Sequence, residues 1–340
     1  MRVFMGGVIV ALATIANLAP AVADEEVNVY SARQEVLILP LLDRFTERTG
    51  ITVNIVSAKA DALLARLQRE GINSPADVFL TTDAGRLARA KEAGLLQPAQ
   101  SVRLEELVPA TYRDPEGYWF GISLRARPII YAKDRVKPSE LSTYADLTSP
   151  KWAGRICVRS STSVYNQSML AAMVVRQGVE SAEHWARGLV ANFARDPQGG
   201  DRDQIRAVAA GECDVALANT YYLAGLAKSK DKADRQAAEK VAIFWPDQDG
   251  HGVHVNVSGA GVAKFAPNQR NAVKLLEFLI GEEAQGIYAS VVNEYPVVTG
   301  APVADIVASW GTFKADDLNL ATLGTYNGAA VRVADRSGWR

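Results

Sequence analysis

Three tyrosines follow predicted strands, and their phenol groups are the side chains best placed for chemistry. Tyr221 and Tyr222 come after the apolar strand-like run 215–218, and Tyr165 begins a helix-like stretch after the strand-like run 156–159. In open α/β folds, ligands collect beyond the carboxyl ends of strands. Phenolate is a hard anionic oxygen ligand that suits a small, highly charged cation such as iron(III), whose charge three phenolates would neutralise. A single tyrosine is more often a core or rim aromatic, so this hypothesis depends on the three together.

The sequence offers little for catalysis. It has three histidines, His184, His251 and His254, and it lacks a Gly-x-Ser-x-Gly elbow, a Walker A loop and a Gly-x-Gly-x-x-Gly motif. His251 and His254 lie three residues apart beside glycines, a spacing that could suit a metal, but no third ligand accompanies them. A structural role in a loop is favoured for this pair. A two-domain exported enzyme with a metal on His251 and His254 is the minor alternative.

Alternating strands and helices are predicted as the scaffold for these side chains. The β-rich runs 27–30, 52–56 and 78–81 alternate with helical periodicity over 37–49, 63–69 and 86–93, and Asp83 is predicted to cap the last of these helices. Such alternation is typical of a parallel α/β architecture.

The chain is predicted to form two lobes that it crosses between twice. Its 340 residues exceed what one hydrophobic core usually serves. The first crossing is expected in the extended segment 119–131 and the second near 247–253, where acidic and glycine residues break the pattern. The predicted N-terminal lobe comprises residues 24–124 and 253–300, and the predicted C-terminal lobe comprises residues 125–252 and 301–340.

Residues 1–23 are predicted to be a secretory signal peptide. Arg2 precedes the uncharged, largely apolar run 3–20, and Ala-Val-Ala at 21–23 is a small-x-small cleavage pattern. The alternative is a retained membrane anchor, but the run is short and contains Asn17 and Pro20. We therefore expect a periplasmic protein. The formal net charge of −1 and the mixing of both signs predict no nucleic-acid partner.

The chain contains two cysteines, Cys157 and Cys213. An unpaired thiol is a liability in an oxidising compartment, so a disulfide between them is predicted. Each cysteine lies beside a predicted strand, and one bridge could join neighbouring elements of the same lobe. Two separate buried thiols are the alternative.

Nine short fragments carry a resemblance to a known family. They are NVYSARQ (28–34), SPADV (74–78), TDAG (82–85), RAR (125–127), PKWAGRI (150–156), AVAAGE (207–212), YY (221–222), VNVSGAG (255–261) and EYP (294–296). In this order they closely resemble the ferric-ion-binding periplasmic proteins of bacterial iron ABC transporters. The resemblance implies an α/β fold of the two-lobed class II periplasmic-binding type, with a ligand cleft between the lobes, and delivery of iron to an inner-membrane permease.

The resemblance also implies a metal-ligand set. The paired tyrosine ligands of the family fall on Tyr221 and Tyr222, and the third tyrosine of one subgroup falls on Tyr165. Some members have an N-terminal histidine ligand where this chain has Gln34 and Glu35, so a histidine ligand is not expected here.

A synergistic anion accompanies iron in the subgroup that this chain resembles, and carbonate or a similar anion is therefore expected. We assign the anion to Arg33, Gln34 and Arg125, whose side chains can donate hydrogen bonds to it. For Arg125 the alternative is a structural ion pair at the crossing.

The resemblance predicts a monomeric, non-catalytic iron(III)-binding component of an ABC transporter. The main rival is a binding protein for a small oxyanion such as phosphate, phosphonate or sulfate. It would use the Ser/Thr loop at 160–163 together with Arg33 and Arg125.

Overall fold

The computed structural model describes residues 25–340, and the predicted signal peptide at 1–23 lies outside the described residues. The strands in the described range are β1 (Glu26–Ser31), β2 (Thr52–Ser57), β3 (Val78–Thr82), β4 (Leu96–Gln97), β5 (Phe120–Ala126), β6 (Ile129–Ala132), β7 (Ile156–Cys157), β8 (Val215–Leu217), β9 (Val241–Phe244) and β10 (Val255–Ala263).

The helices in this range are α1 (Glu35–Thr49), α2 (Ala60–Glu70), α3 (Ala84–Glu92), α4 (Val102–Leu107), α5 (Val164–Ala191), α6 (Asp201–Ala210), α7 (Thr220–Ala227), α8 (Lys232–Lys240), α9 (Gln269–Leu279), α10 (Glu282–Val292), α11 (Asp305–Ala308), α12 (Thr322–Thr325) and α13 (Asn327–Ser337). Helix α5 is kinked at Gly178, whose φ of 83° lies outside the helical region. Between residues 25 and 340, we find no helix that combines the length and the apolar character needed to cross a bilayer.

Two mixed sheets form the centres of two lobes. The N-terminal lobe contains a sheet in the order β2-β1-β3-β10-β4, with β5 also paired to β10. The C-terminal lobe contains a sheet in the order β7-β8-β6-β9. The predicted α/β fold class is confirmed. The expectation of parallel strands holds only in part, since β1 pairs in parallel with β2 and β3, and β7 with β8, whereas β5, β6, β9 and β10 run antiparallel to their neighbours.

The chain passes between the sheets at two places. The first crossing is the Arg127-Pro128 segment between β5 and β6, and the second crossing is segment 245–254 between β9 and β10. Arg125 lies in β5 and therefore in the sheet of the N-terminal lobe. The C-terminal segment spans both lobes, because α12 contacts α3 of one lobe and α5 of the other.

Local chemistry accounts for the elements nearest the cleft. Helix α1 buries Ile38, Leu41 and Phe45 at helical spacing against the N-terminal sheet. Each fully buried side chain of this size contributes roughly 1.5–3 kcal/mol of transfer free energy. Asp83 caps α3 as predicted, because its carboxylate accepts a hydrogen bond from the backbone N–H of Gly85.

The predicted disulfide is confirmed. Cys157 ends β7 and Cys213 precedes β8, and their sulfur atoms are bonded with the Cα atoms 5.8 Å apart. Because β7 and β8 are parallel neighbours, the bridge links the two strands that lead toward the three tyrosines.

Candidate metal centre

Two helices of the C-terminal lobe begin at the same edge of its sheet and carry the three tyrosines. Strand β8 runs through Asn219 into α7, which places Tyr221 and Tyr222 in the first helical turn. Strand β7 runs through the loop 160–163 into α5, of which Tyr165 is the second residue. Since β7 and β8 are parallel neighbours, both helices start at the same end of the sheet, beyond the carboxyl ends of these strands.

The phenol groups converge in space. The hydroxyl oxygens of Tyr165 and Tyr221 lie 3.1 Å apart and share a hydrogen bond. The rings of Tyr221 and Tyr222 have centroids 4.2 Å apart and an interplanar angle of 35°. All three side chains line one cleft, and all three are partly exposed. The structure thus brings together the three residues predicted to bind a metal.

The surroundings of Tyr221 and Tyr222 oppose ionisation of their phenols. Burial raises the pKa of Tyr221 well above its usual value, and the neighbouring phenols of Tyr165 and Tyr222 raise it further. Burial also raises the pKa of Tyr222, with Tyr165 and Asp201 adding to the effect. These two phenols are therefore protonated near neutral pH, and a cation must displace protons to bind their oxygens.

Guanidinium groups stack against the tyrosine rings. Arg125 and Arg159 each lie 5.4 Å from the ring centroid of Tyr165, and Arg202 lies 5.3 Å from that of Tyr222. The positive charge of Arg125 also lowers the pKa of Tyr221, against the larger effect of burial. These arginines would favour phenolate over phenol once a metal has removed the protons.

Two predicted anion-binding residues of the N-terminal lobe line the same cleft. Gln34 is exposed at the start of α1, whereas the Arg33 side chain is 2% exposed. Arg33 Nη2 lies 3.2 Å from Glu294 Oε1, and Nη1 donates a hydrogen bond to Ser258 Oγ. Burial alone would lower the pKa of Arg33, but the negative charge of Glu294 raises it above its usual value. Arg33 therefore remains charged, and its charge is balanced within its own lobe.

The third predicted anion-binding residue, Arg125, occupies a more enclosed position. It is 1% exposed, its Nη1 donates to Ser258 Oγ at 3.1 Å, and its Nη2 lies 3.9 Å from Asp83 Oδ2. The ion pair with Asp83 matches the alternative expected for Arg125 at the crossing. Nε and Nη2 of Arg125 have no hydrogen-bond partner among the described residues.

A polar recess adjoins the cleft at the N-terminus of α5. Its lining includes three residues of the loop before α5 together with arginine and tyrosine side chains: Ser160, Thr162, Ser163, Arg86, Arg159, Tyr165 and Tyr222. Ser163 Oγ is buried there and has no hydrogen-bond partner within residues 25–340. Neither Arg33 nor Arg125 is part of this lining, so the residue set of the oxyanion rival is divided between different surfaces.

The histidine pair lies elsewhere, at the second crossing. His251 and His254 line a separate cavity with Tyr144, Asp247 and other residues. Burial lowers the pKa of His254 to about 4, so its imidazole is neutral near pH 7. No group of three or more His, Cys, Asp or Glu side chains in the described part of the chain could hold a metal ion. His184 is exposed on α5.

Sequence reasoning missed several residues of the cleft. Glu294, Arg86 and Arg202 line it, and none of them was predicted as a site residue. Glu294 belongs to the EYP fragment that contributed to the family resemblance, so its place in that motif was the available indication. Arg86 and Arg202 are helix residues far from the tyrosines in sequence, and no local pattern distinguishes them.

Comparison with known proteins places the chain among bacterial extracellular solute-binding proteins. Residues 73–319 match the profile of the family described as bacterial extracellular solute-binding protein. Over 316 residues the chain is 51% identical to Iron uptake protein A1 of a Synechocystis species, covering 93% of this chain and 88% of the relative. It is 30% identical over 290 residues to the Major ferric iron-binding protein of Neisseria meningitidis serogroup B, covering 84% of each.

A solved structure extends the likeness to three dimensions. The Trichodesmium protein IdiA (FutA), determined in complex with iron and citrate ligands, matches with a TM-score of 0.90 and 50% sequence identity. The match covers 93% of this chain and all of the other. The two-lobed fold expected from the sequence is confirmed by this similarity.

Proposed function

The chain belongs to the family of bacterial extracellular solute-binding proteins, and from this premise we propose that it binds ferric iron and delivers it to a membrane transporter. The supporting relatives are iron uptake and ferric iron-binding proteins, and one related structure holds iron and citrate. The observation that carries the proposal is the convergence of three phenols at one cleft.

Tyr165, Tyr221 and Tyr222 are the proposed iron ligands. Their oxygens are hard donors, and three phenolates balance the charge of iron(III). The raised pKa values of Tyr221 and Tyr222 mean that binding requires a strong Lewis acid, because each phenol that binds must release a proton. Divalent ions gain less from phenolate and would repay this cost less well.

A small anion is proposed to complete the coordination of the iron. Carbonate or a carboxylate could lie between the phenols and the N-terminal wall of the cleft, where Arg33 and Gln34 are lining residues. We propose that Arg125 assists from behind Tyr165, because its guanidinium lies against that ring and has two nitrogens without a partner in the described chain.

The remaining parts of the proposal concern partners and location. We propose that the protein acts in the periplasm, as a monomer, and that an inner-membrane ABC permease receives the iron. The predicted boundaries are residues 24–124 and 253–300 for one lobe and 125–252 and 301–340 for the other. We propose these lobes with the first boundary moved to the Arg127-Pro128 crossing, because Arg125 pairs with β10 of the N-terminal sheet. Hinge bending at the two crossings would bring Arg33 and Gln34 onto iron held by the tyrosines.

A visible-spectrum titration tests the iron site directly. Ferric citrate is added to the protein without residues 1–23, in bicarbonate buffer, beside the Tyr221→Phe/Tyr222→Phe double variant. We expect a tyrosinate-to-iron(III) charge-transfer band that saturates at about one equivalent, as a single site requires, and that is absent from the double variant.

Two other outcomes would contradict the proposal. A wild-type protein that stays colourless and takes up no iron would exclude the phenolate site. Uptake of phosphate or sulfate without metal, unchanged in the double variant, would instead favour the oxyanion rival.

A further inference from the structure

Arg127 is a buried cation in the first crossing that the iron site as described does not use. The whole residue is 1% exposed, and it stands between the end of β5 and the start of β6, where the chain leaves one lobe for the other. Such a buried charge is costly unless charged and polar partners surround it.

The guanidinium of Arg127 joins the starts of three helices. Nη1 donates to Asp201 Oδ2 and to Asn219 Oδ1, each at 3.0 Å, and Nη2 donates to Asn166 Oδ1 at 2.6 Å. Asn219 is the N-cap residue of α7, Asp201 opens α6, and Asn166 follows Tyr165 in α5. One planar group therefore fixes the spacing between the two helices that carry the tyrosines.

Further hydrogen bonds make this cluster rigid. Asp201 Oδ2 also accepts from the backbone N–H of Asn219 at 2.8 Å, and Asp201 Oδ1 accepts from Arg159 at 3.2 Å. The amide of Asn166 donates to the carbonyl oxygens of Arg159 and Ser160 at 2.9 and 3.0 Å. The guanidinium is thus held on one side by the α7 cap and on the other by the loop that precedes Tyr165.

The main chain of Arg127 is tied to the second crossing. Its N–H donates to the carbonyl of His254 at 2.9 Å, and its carbonyl accepts from the hydroxyl of Tyr144 at 2.7 Å. The same hydroxyl accepts from the backbone N–H of His254 at 3.1 Å. Tyr144 is 7% exposed and therefore joins both crossings through one buried phenol oxygen.

We propose that Arg127 is a positioning residue that couples the tyrosine cluster to the hinge between the lobes. Its side chain holds the Tyr165 and Tyr221-Tyr222 helices at a fixed separation. Its main chain is hydrogen-bonded to His254 and Tyr144 at the two crossings, so the separation of the helices is linked to the conformation of the crossings. Opening of the lobes would then disturb the spacing of the phenols, and a bound ion would oppose opening. The inference rests on the proposed iron site.

Arg127→Lys is the central variant of the test, because lysine keeps the charge beside Asp201 but lacks the fork that reaches both helices. Arg135→Lys is the matched control. Arg135 also bridges elements of the C-terminal lobe, through Asp214 Oδ1 at 2.7 Å and the carbonyl of Val208 at 2.5 Å, but none of its partners adjoins a tyrosine.

The first measurement uses metal-free protein, so it is independent of iron binding. Hydrogen exchange is followed at the first turns of α5 and α7 and at both crossings. Arg127→Lys is expected to speed exchange at all of these places together, whereas Arg135→Lys leaves them unchanged. Faster exchange in only one helix, or none, would overturn the coupling.

The second measurement follows iron loss from loaded protein to excess citrate. Arg127→Lys is expected to release iron about 10- to 100-fold faster, the usual effect of losing a partner that orients metal ligands, with a shifted charge-transfer band. A band and release rate equal to those of wild type would refute the positioning role while leaving the iron site established. A wild-type protein with no band would refute the iron site, and the exchange data would still decide the linkage.

A double-mutant cycle between Arg127→Lys and Tyr144→Phe tests the path to the hinge. If both residues belong to one linkage, the double variant should release iron more slowly than the product of the two single effects predicts. Tyr295→Phe is the control for loss of a phenol hydroxyl, because the Tyr295 hydroxyl is buried and has no partner within residues 25–340. Independent, multiplicative effects would contradict the linkage.

Asn166→Ala and Asn219→Ala keep the test decisive if Arg127→Lys does not fold. Each variant removes one acceptor of the guanidinium and leaves the charge pair with Asp201 intact. Both should shift the band and speed release in the same direction as Arg127→Lys. If neither does, the positioning role is wrong.

Discussion

The cleft has an N-terminal wall and a C-terminal wall, one from each lobe, and the two walls differ in how the charges of their polar groups are balanced. On the N-terminal wall, Arg33 is already paired with Glu294 and Ser258. On the C-terminal wall, the hydroxyls of Tyr165 and Tyr221 bond to each other, and burial keeps the phenols of Tyr221 and Tyr222 protonated. The charges on the N-terminal wall are thus balanced before any ligand binds. The C-terminal wall can gain negative charge only when a cation displaces the phenol protons. We infer that iron capture begins on the C-terminal wall, which is called the tyrosine wall below.

Removal of the disulfide should cause a large loss of unfolding free energy, and the disulfide lies only in the lobe that carries the tyrosines. Cys157 and Cys213 are 56 residues apart, so the Cys157→Ala/Cys213→Ala double variant should lose about 4 kcal/mol of unfolding free energy in the chain-entropy account. Urea denaturation of metal-free protein measures the loss. The charge-transfer band should keep its wavelength, since the sulfur atoms are not ligands. A loss below about 1 kcal/mol would mean that the wall is rigid without its bridge.

Acid should weaken iron binding strongly, because the tyrosine wall exchanges protons for the metal. The pKa values of Tyr221 and Tyr222 lie above the usual value, so both phenols are protonated at neutral pH and both must release a proton. With three phenol ligands, affinity should therefore fall about 1,000-fold for each unit by which the pH is lowered, tenfold for each phenol proton that iron displaces. Competition against citrate at pH 7.5 and 6.5 measures this slope.

The control for the pH experiment is Tyr222→Phe, measured against the same competitor so that the titration of citrate cancels. Its slope should be smaller by one proton. Equal slopes for the variant and the wild type would show that Tyr222 does not bind iron as phenolate.

A smaller contrast is expected between single changes on the two walls. Tyr165→Phe removes one anionic ligand and should weaken iron binding at least about tenfold, or 1.4 kcal/mol. Gln34→Ala changes an exposed side chain that could reach only the anion, so its effect should stay within about threefold, or 0.7 kcal/mol. Chelator competition in bicarbonate buffer measures both. The opposite ranking would reverse the assignment of roles to the walls.

Regular patterns explain which parts of the fold could be predicted. Strands β1, β2 and β3 were located to within a residue or two because β-rich runs alternate with clear helical periodicity there. Helix α7 was not predicted, although the strand before it was. Its residues Thr220, Leu223, Ala224 and Leu226 are buried, and the helix itself is largely apolar. No regular alternation of polar and apolar residues therefore indicates a helix there.

The same limit applies to the site. The tyrosines could be predicted because each comes shortly after a strand-like run, and the local sequence shows that pattern. The pairing of Arg33 with Glu294 joins residues 261 positions apart, and that of Arg127 with Asn166, Asp201 and Asn219 joins a crossing to three helices. Such contacts depend on the tertiary fold of each lobe, which no run of neighbouring residues specifies.

The neutral phenols and the paired arginine have a consequence for how a transporter could recognise the loaded protein. An iron(III) ion that displaces three phenol protons leaves the net charge of the cleft unchanged, so any change in charge on loading comes from the accompanying anion. The ion itself would therefore alter the electrostatic field outside the protein very little. A membrane partner could not recognise the iron by its charge, and the relative orientation of the lobes would be the signal that the ion provides.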